Sequence, residues 1–185
     1  PSILIAGCGT GQQAIQTASR FKNCKVLALD LSFASLAYAK RSALELGIGN
    51  IEFIQGDILD LPKLGKTFDM IESLGVLHHM NEPVEGWKIL VDCLNEEGLM
   101  KISLYSEFAR KHIAELRKEI VNQNISCIET EMKNFRKIII NKDDKQHRNI
   151  LSAPDFFSMS SFRDLLFHVK EHRFTLIQIQ EILND

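Results

Sequence analysis

Hydrophobic positions along this chain follow two regimes. In the first half, short apolar runs alternate with stretches whose apolar residues recur every three or four positions, the spacing of one helix face. Ile3–Ala6 reads as a first strand, followed by a helix Gln12–Arg20 with Ala14, Ile15 and Ala18 on its apolar side. Lys25–Leu29 reads as a second strand ending at Asp30. Ser32 then caps a helix Phe33–Leu46, which the Gly47–Asn50 turn stops. Ile51–Gln55 gives a third strand and Phe68–Ser73 a fourth. A helix Pro83–Leu94 carries Trp87, Leu90 and Val91, and Leu99–Tyr105 is a fifth strand after a turn at Asn95–Gly98. Alternation at this pace predicts an α/β fold, a parallel sheet with helices on both faces.

After Tyr105 the pattern becomes helical. Ser106 predicts the cap of a helix to about Val121, with Phe108, Ile113, Leu116 and Ile120 at helical spacing. Residues 127–140 predict another, striped by Ile128, Met132, Phe135, Ile138 and Ile139. The charged stretch Lys142–Arg148 reads as a solvated loop. Ser160 or Ser161 starts a helix holding Phe162, Leu165, Leu166 and Val169, and Thr175 with Gln178 reads as a capping box for the last one. No strand is expected beyond Tyr105. Residues 1–105 therefore read as a sheet core and 106–185 as a helical extension packed on it as a cover, within one domain. Pro1 and Ser2 lead straight into a core strand, so the chain is expected to be a fragment of a longer protein.

Composition acts by exclusion. A net charge of −2 over 185 residues gives no clear nucleic-acid signal, and no apolar stretch approaches a membrane span. Cys8, Cys24, Cys93 and Cys127 are far apart with no CxxC pair, which argues against both a metal and a disulfide framework and for a reducing cytoplasm. His112, His147, His168 and His172 lack metal-ligand spacing. His168 and His172 stand four apart on one predicted helix, with no third ligand, so no metal is expected.

Candidate chemistry centres on Gly7, Gly9 and Gly11, directly behind the first strand. Glycines there let backbone N–H groups approach a ligand beside a helix N-terminus, the usual cradle of nucleotide-like cofactors. The dinucleotide fingerprint places its third glycine where this chain has Gln12. Asp30 ends the second strand, where a carboxylate can accept two ribose hydroxyls or simply cap a helix, and Leu31 beside it could line the ribose or adenine. Asp57 ends the third strand, where it can accept an adenine amino hydrogen beside Ile58 or serve as a turn aspartate. Cys8 within the glycine turn is either a small residue that fits or a reactive thiol. The three strand ends converge on the carboxyl edge of the sheet, where open α/β sheets bind ligands.

The ordered segments ILIAGCGTG (3–11), KVLALD (25–30), IEFIQGDILDL (51–61), FDMIESLGVLHHM (68–80) and LNEEGLMKISLY (94–105) resemble the core of class I S-adenosylmethionine-dependent methyltransferases. The resemblance implies a Rossmann-like fold and S-adenosyl-L-methionine as cofactor. It implies that Gly7, Gly9 and Gly11 contact the methionine part, Asp30 the ribose, Asp57 and Ile58 the adenine, and that Ser73 and Leu74 flank the sulfonium. One departure is Ile5, where many members carry an acid. SLYSEFARKHI (103–113) and the segment 155–183 are similar to bacterial methyltransferase domains fused downstream of tetratricopeptide repeats. That likeness implies upstream repeats and two further sheet strands, absent here.

The activity so implied is methyl transfer by in-line displacement to an unidentified acceptor, a small molecule or a protein side chain. His78 and His79 are the candidates for a general base, with shaping the pocket as their alternative. Tyr105 either orients substrate or is a core aromatic. Phe156, Phe157, His168, His172 and Arg173 are conceivable substrate contacts. Two other functions stay open: a cofactor-binding module without catalysis, and an NAD-dependent oxidoreductase.

Overall fold

Strand β1 (Ser2–Ala6) is buried from Ile3 onward because sheet neighbours flank it on both sides and helices cover both faces. The computed structural model describes residues 1–142 and 144–184. Five strands, β1, β2 (Lys25–Asp30), β3 (Ile51–Gln55), β4 (Phe68–Leu74) and β5 (Leu94–Ser103), form one sheet in the order β3-β2-β1-β4-β5, with every pair parallel. Helices α1 (Gln12–Arg20), α2 (Phe33–Glu45) and α3 (Pro83–Asp92) make three of the crossovers and the 3-10 turn Ile58–Leu64 lies on the fourth, from β3 to β4, giving a Rossmann-like α/β fold. Ile3 and Ile5 pack with Val26, Ala28, Ala14, Ala18 and Leu36 in one apolar cluster.

Strand order reverses at β1, with β2 on one side and β4 on the other, and this opens a crevice beyond the carboxyl ends of the strands. Register runs from Ser2↔Lys25 to Ala6↔Leu29 on one side and from Ile3↔Met70 to Ile5↔Glu72 on the other. Asn50 pins the entry to β3, its side-chain amide donating to the carbonyls of Ala18, Phe21 and Cys24 at 3.0–3.1 Å.

β5 begins at Leu94, earlier than expected. Phe68 pairs with Leu94 but Met70 with Leu99, so the predicted turn at Asn95–Gly98 is a bulge within the strand. Glu97 takes a left-handed φ of 64° there, and a Cβ on Gly98 would lie 2.8 Å from the Asn95 carbonyl oxygen.

The chain divides into two compact units, Pro1–Leu104 and Tyr105–Asp185. The second is built on α4 (Lys111–Asn122), α5 (Glu129–Asn141), α6 (Lys145–Leu151), α7 (Met159–Phe167) and α8 (Leu176–Asn184). Its core gathers Leu116, Met132, Phe135, Ile139, Ile150, Phe156 and Phe162. Beneath a cage of arginines lies Glu171, whose side chain is 1% exposed, with Arg110 Nη2 at 2.7 Å and Arg117 and Arg173 at 3.5 Å.

Four sequence expectations change in this unit. Ser106 caps a turn rather than α4 itself: its Oγ accepts from the Ala109 amide at 3.2 Å while its backbone bridges Phe174, and α4 waits until Lys111. The charged stretch after Lys142 is not a loop. Asp144 caps α6 by accepting from the His147 amide, and the helix buries His147 and Ile150; Asp143, also in that stretch, lies outside the described residues. Ser158, rather than Ser160 or Ser161, caps α7, which stops at Phe167, so Val169 is solvent-exposed. His168 and His172 therefore do not share a helix face. The capping box of α8 forms as expected, with Thr175 N donating to Gln178 Oε1 at 2.8 Å and Gln178 N to Thr175 Oγ1 at 3.2 Å. Among the described residues, no helix is long and apolar enough to cross a membrane.

Candidate functional site

The loop leaving β1 is tied to the end of β2: the Gly7 and Cys8 amides both donate to the Leu29 carbonyl, at 2.8 and 2.9 Å. Gly7, Gly9 and Gly11 all have positive φ (80°, 53° and 86°), but each is glycine for a different spatial reason. A Cβ on Gly7 would lie 2.2 Å from a methyl of Val76, just past β4. One on Gly11 would lie 2.5 Å from the Ala39 Cβ, where α1 meets α2. One on Gly9 would meet nothing within 4 Å, because Gly9 faces the crevice. Gly11 precedes the first turn of α1, whose amides are the kind of group that receives anions.

The crevice holds about 1060 Å3 within the sheet unit, ample for a ligand of nucleotide size. Asp30 is anchored on the crevice wall by two backbone amides. Its Oδ2 accepts from the Gly9 amide at 2.7 Å and its Oδ1 from the Ser32 amide at 2.8 Å, which holds the carboxylate against the glycine loop with lone pairs to spare. It does not cap α2; Ser32 does, accepting from the Ser35 amide. Asp57 caps the 3-10 turn Ile58–Leu64 through its bond from the Leu59 amide at 3.0 Å, and still lines the crevice beside buried Ile58. Cys8 is a buried thiol: burial, with the Asp30 charge beside it, pushes its pKa up to about 12, the opposite of a reactive cysteine.

The wall thus brings together Gly7, Gly9, Asp30, Leu31, Asp57, Ile58, Leu74 and His79. Gly11 and Ser73 lie behind it, Ser73 fully buried. His78 is also off the wall, 1% exposed, with its ring edge-on to His79 at a centroid distance of 4.4 Å. Tyr105 opens the helical unit, where the Arg110 guanidinium sits 3.6 Å from its ring centroid. Burial raises the Tyr105 phenol above its ordinary value, and Arg110 only partly counters this. In that same unit Phe156 is buried in the core, Phe157 is exposed, His168 Nδ1 lies 2.8 Å from the Lys170 carbonyl, and Arg173 bridges Glu107 and Glu171.

Sequence reasoning missed Glu72 of β4. Its side chain is 7% exposed, lines the crevice, and accepts from Gln13 Nε2 at 2.7 Å and Thr17 Oγ1 at 3.1 Å, both on α1. The available signal was the polar pair Gln13 and Thr17, four apart and each preceding a buried alanine, Ala14 and Ala18.

Comparison with known proteins places this geometry. Residues 3–98 match the family model of a methyltransferase domain. The chain is 28% identical over 175 residues to malonyl-[acyl-carrier protein] O-methyltransferase 1 of Ilyobacter polytropus, covering 91% of this chain and 60% of that protein. Its structure is similar to coclaurine N-methyltransferase bound to N-methylheliamine and SAH, with a TM-score of 0.51 and 25% identity over 55% of this chain and 30% of the other. PKMT2 from Rickettsia typhi in complex with AdoHcy shares the fold, with a TM-score of 0.77 and 18% identity over 99% of this chain and 38% of that one. Against three further curated relatives the chain spans only 27–31% of their length.

Proposed function

This chain belongs to the methyltransferase-domain family, and from that premise we propose that it binds S-adenosylmethionine in the crevice at the ends of β1 to β4 and directs its methyl group to an acceptor. The observation that carries this is the placement of Asp30, fixed by the Gly9 amide at 2.7 Å at the edge of the open space that Gly9 leaves. A ribose there finds carboxylate lone pairs already aimed, while the glycine backbone has no side chain to hold a ligand off. Gln12, in place of a third dinucleotide glycine, speaks for this cofactor over NAD.

Each wall residue then has a task. Asp30 accepts the ribose hydroxyls and Leu31 lies along the sugar. Asp57 accepts the adenine amino hydrogens while Ile58 packs on the ring. Gly7 and Gly9 admit the methionine portion, and Leu74 keeps the sulfur side dry. When bound, the sulfonium supplies an activated methyl group, so the chain's own work is orientation and exclusion of water. Orientation of this kind is worth about 7–11 kcal/mol where the attack is in line. His79, on the wall, takes the proton from a hydroxyl or ammonium acceptor. His78, packed edge-on behind it, is its positioning residue. Gly11 and Ser73 act from behind the wall, as packing.

The acceptor is a small molecule or a protein side chain. The likeness of residues 103–113 and 155–183 to domains that follow tetratricopeptide repeats supports such repeats upstream in the whole protein.

Calorimetric titration with S-adenosylhomocysteine, NAD and an Asp30→Ala variant tests the assignment. Micromolar S-adenosylhomocysteine binding, lost in the variant and not given by NAD, is expected. A folded protein that binds NAD alone, or neither ligand, contradicts it.

A further inference from the structure

Glu72 presents a buried carboxylate to the crevice with one oxygen still open. It stands on β4 in register with Ile5 of β1, so both side chains leave the same face of the sheet, the face that α1 covers. Gln13 and Thr17, one turn apart on α1, donate to Oε2. Among the described residues Oε1 has only Lys101 Nζ, at 3.9 Å, beyond hydrogen-bond distance and on a side chain 61% exposed. A carboxylate this buried, held by two neutral donors and one distant lysine, is short of positive charge. The structure therefore offers a site for a compact cation with N–H donors, opening on the same crevice as the glycine loop.

Resting on the cofactor reading above, we infer that Glu72 recognises the α-ammonium group of the cofactor's amino-acid end. Gln13 and Thr17 are positioning residues: by occupying Oε2 they turn Oε1 toward the crevice. An ammonium brings three donors and a full charge to an acceptor that no cation among the described residues reaches closer than the 3.9 Å of Lys101. The adenosine end, held by Asp30 and Asp57, does not depend on Glu72.

The test compares S-adenosylhomocysteine with two analogues on the folded chain by calorimetry. One is 5′-methylthioadenosine, which lacks the amino-acid end. The other is S-adenosylhomocysteine without its amino group. Wild type is expected to bind the deaminated ligand about tenfold more weakly than S-adenosylhomocysteine, as for loss of one hydrogen bond to a charged group. Glu72→Gln is expected to lose about the same factor for S-adenosylhomocysteine, to be indifferent to the amino group, and to bind 5′-methylthioadenosine as wild type does. The wild-type arm needs no variant to fold. Equal wild-type affinity with and without the amino group overturns the inference. So does a Glu72→Gln variant that weakens all three ligands alike, which marks a purely structural carboxylate. In both of those cases the cofactor reading stands, because S-adenosylhomocysteine still binds. A wild-type chain that binds none of the three overturns both.

Discussion

Gly11→Ala, set beside Gly9→Ala, separates packing from ligand access within one loop. Gly11 sits at φ 86°, where an alanine costs about 1–3 kcal/mol in backbone strain. Its Cβ would also lie 2.5 Å from Ala39 Cβ and 3.1 Å from Ala39 Cα, an overlap with a buried helix face that cannot swing aside. Overpacking of that kind costs about 1–3 kcal/mol more, giving about 2–6 kcal/mol in all. Ala39→Gly removes the Cβ that is struck, at about 1 kcal/mol of helix propensity, and leaves the crowding against the α2 backbone and the strained φ in place. The double variant is therefore predicted to show a favourable coupling of about 1–2 kcal/mol. Gly9 sits at φ 53°, near the left-handed minimum, with no atom in reach, so Gly9→Ala costs only about 1 kcal/mol in stability. Its methyl group would project into the crevice, so S-adenosylhomocysteine binding should drop by more than tenfold. Urea unfolding of the four variants against wild type, with calorimetry on the two single glycine variants, gives both quantities. A Gly11→Ala protein as stable as wild type, a null coupling with Ala39→Gly, or a Gly9→Ala protein that unfolds more readily than Gly11→Ala would refute the reasoning.

Three further outcomes are expected. Burial pushes the Glu171 carboxyl up, but the Arg110 hydrogen bonds and the charges of Arg110, Arg117 and Arg173 outweigh it and hold the group below the ordinary glutamate value of 4.5. A depressed folded value means that its stabilisation is present above pH 4.5 and lost as pH falls through the folded pKa; Glu171→Gln should cost about 3 kcal/mol at pH 7 and flatten the acid limb of a thermal-melt series, and an unchanged acid limb would count against the cage. Iodoacetamide at pH 8 should label exposed Cys127 quickly and leave Cys8 unmodified until the protein unfolds, as mass spectrometry of digests would read; early labelling of Cys8 would contradict its raised thiol pKa. Asn50→Ala removes the amide shared by three carbonyls, of which that of Phe21 keeps the Cys24 amide, and should destabilise the sheet unit by about 1–3 kcal/mol in urea, whereas a change under half of that would show the amide to be dispensable.

The sheet was legible because its inner strands are buried on both faces, so that Ile3–Ala6 and Val26–Leu29 are unbroken apolar runs. The crevice wall was legible because Asp30 ends β2 and Asp57 follows the edge strand β3, and strand ends in a parallel sheet lie side by side. What was hidden depends on distant partners. Glu72 reads as a stray charge in β4 until register sets it beside Ile5 and under Gln13 and Thr17. Gly11 reads as a ligand glycine until Ala39 is found against it. Ser106 carries a cap signature and its Oγ does accept from the Ala109 amide, but a turn separates it from α4, which starts only at Lys111. Helix α6 was obscured because its sequence is mostly polar and, among its described side chains, His147 and Ile150 are the buried ones. The bulge at Asn95–Gly98 looked like a turn because a left-handed residue followed by glycine serves both.

The most direct test of the central claim is a crystal structure of this chain with S-adenosylhomocysteine. The account predicts both ribose hydroxyls within about 3.2 Å of the Asp30 carboxylate, the adenine against Ile58 with its amino group toward Asp57, and the homocysteine portion passing Gly9. Density for the ligand elsewhere on the chain, or in the crevice with its ribose away from Asp30, would contradict it.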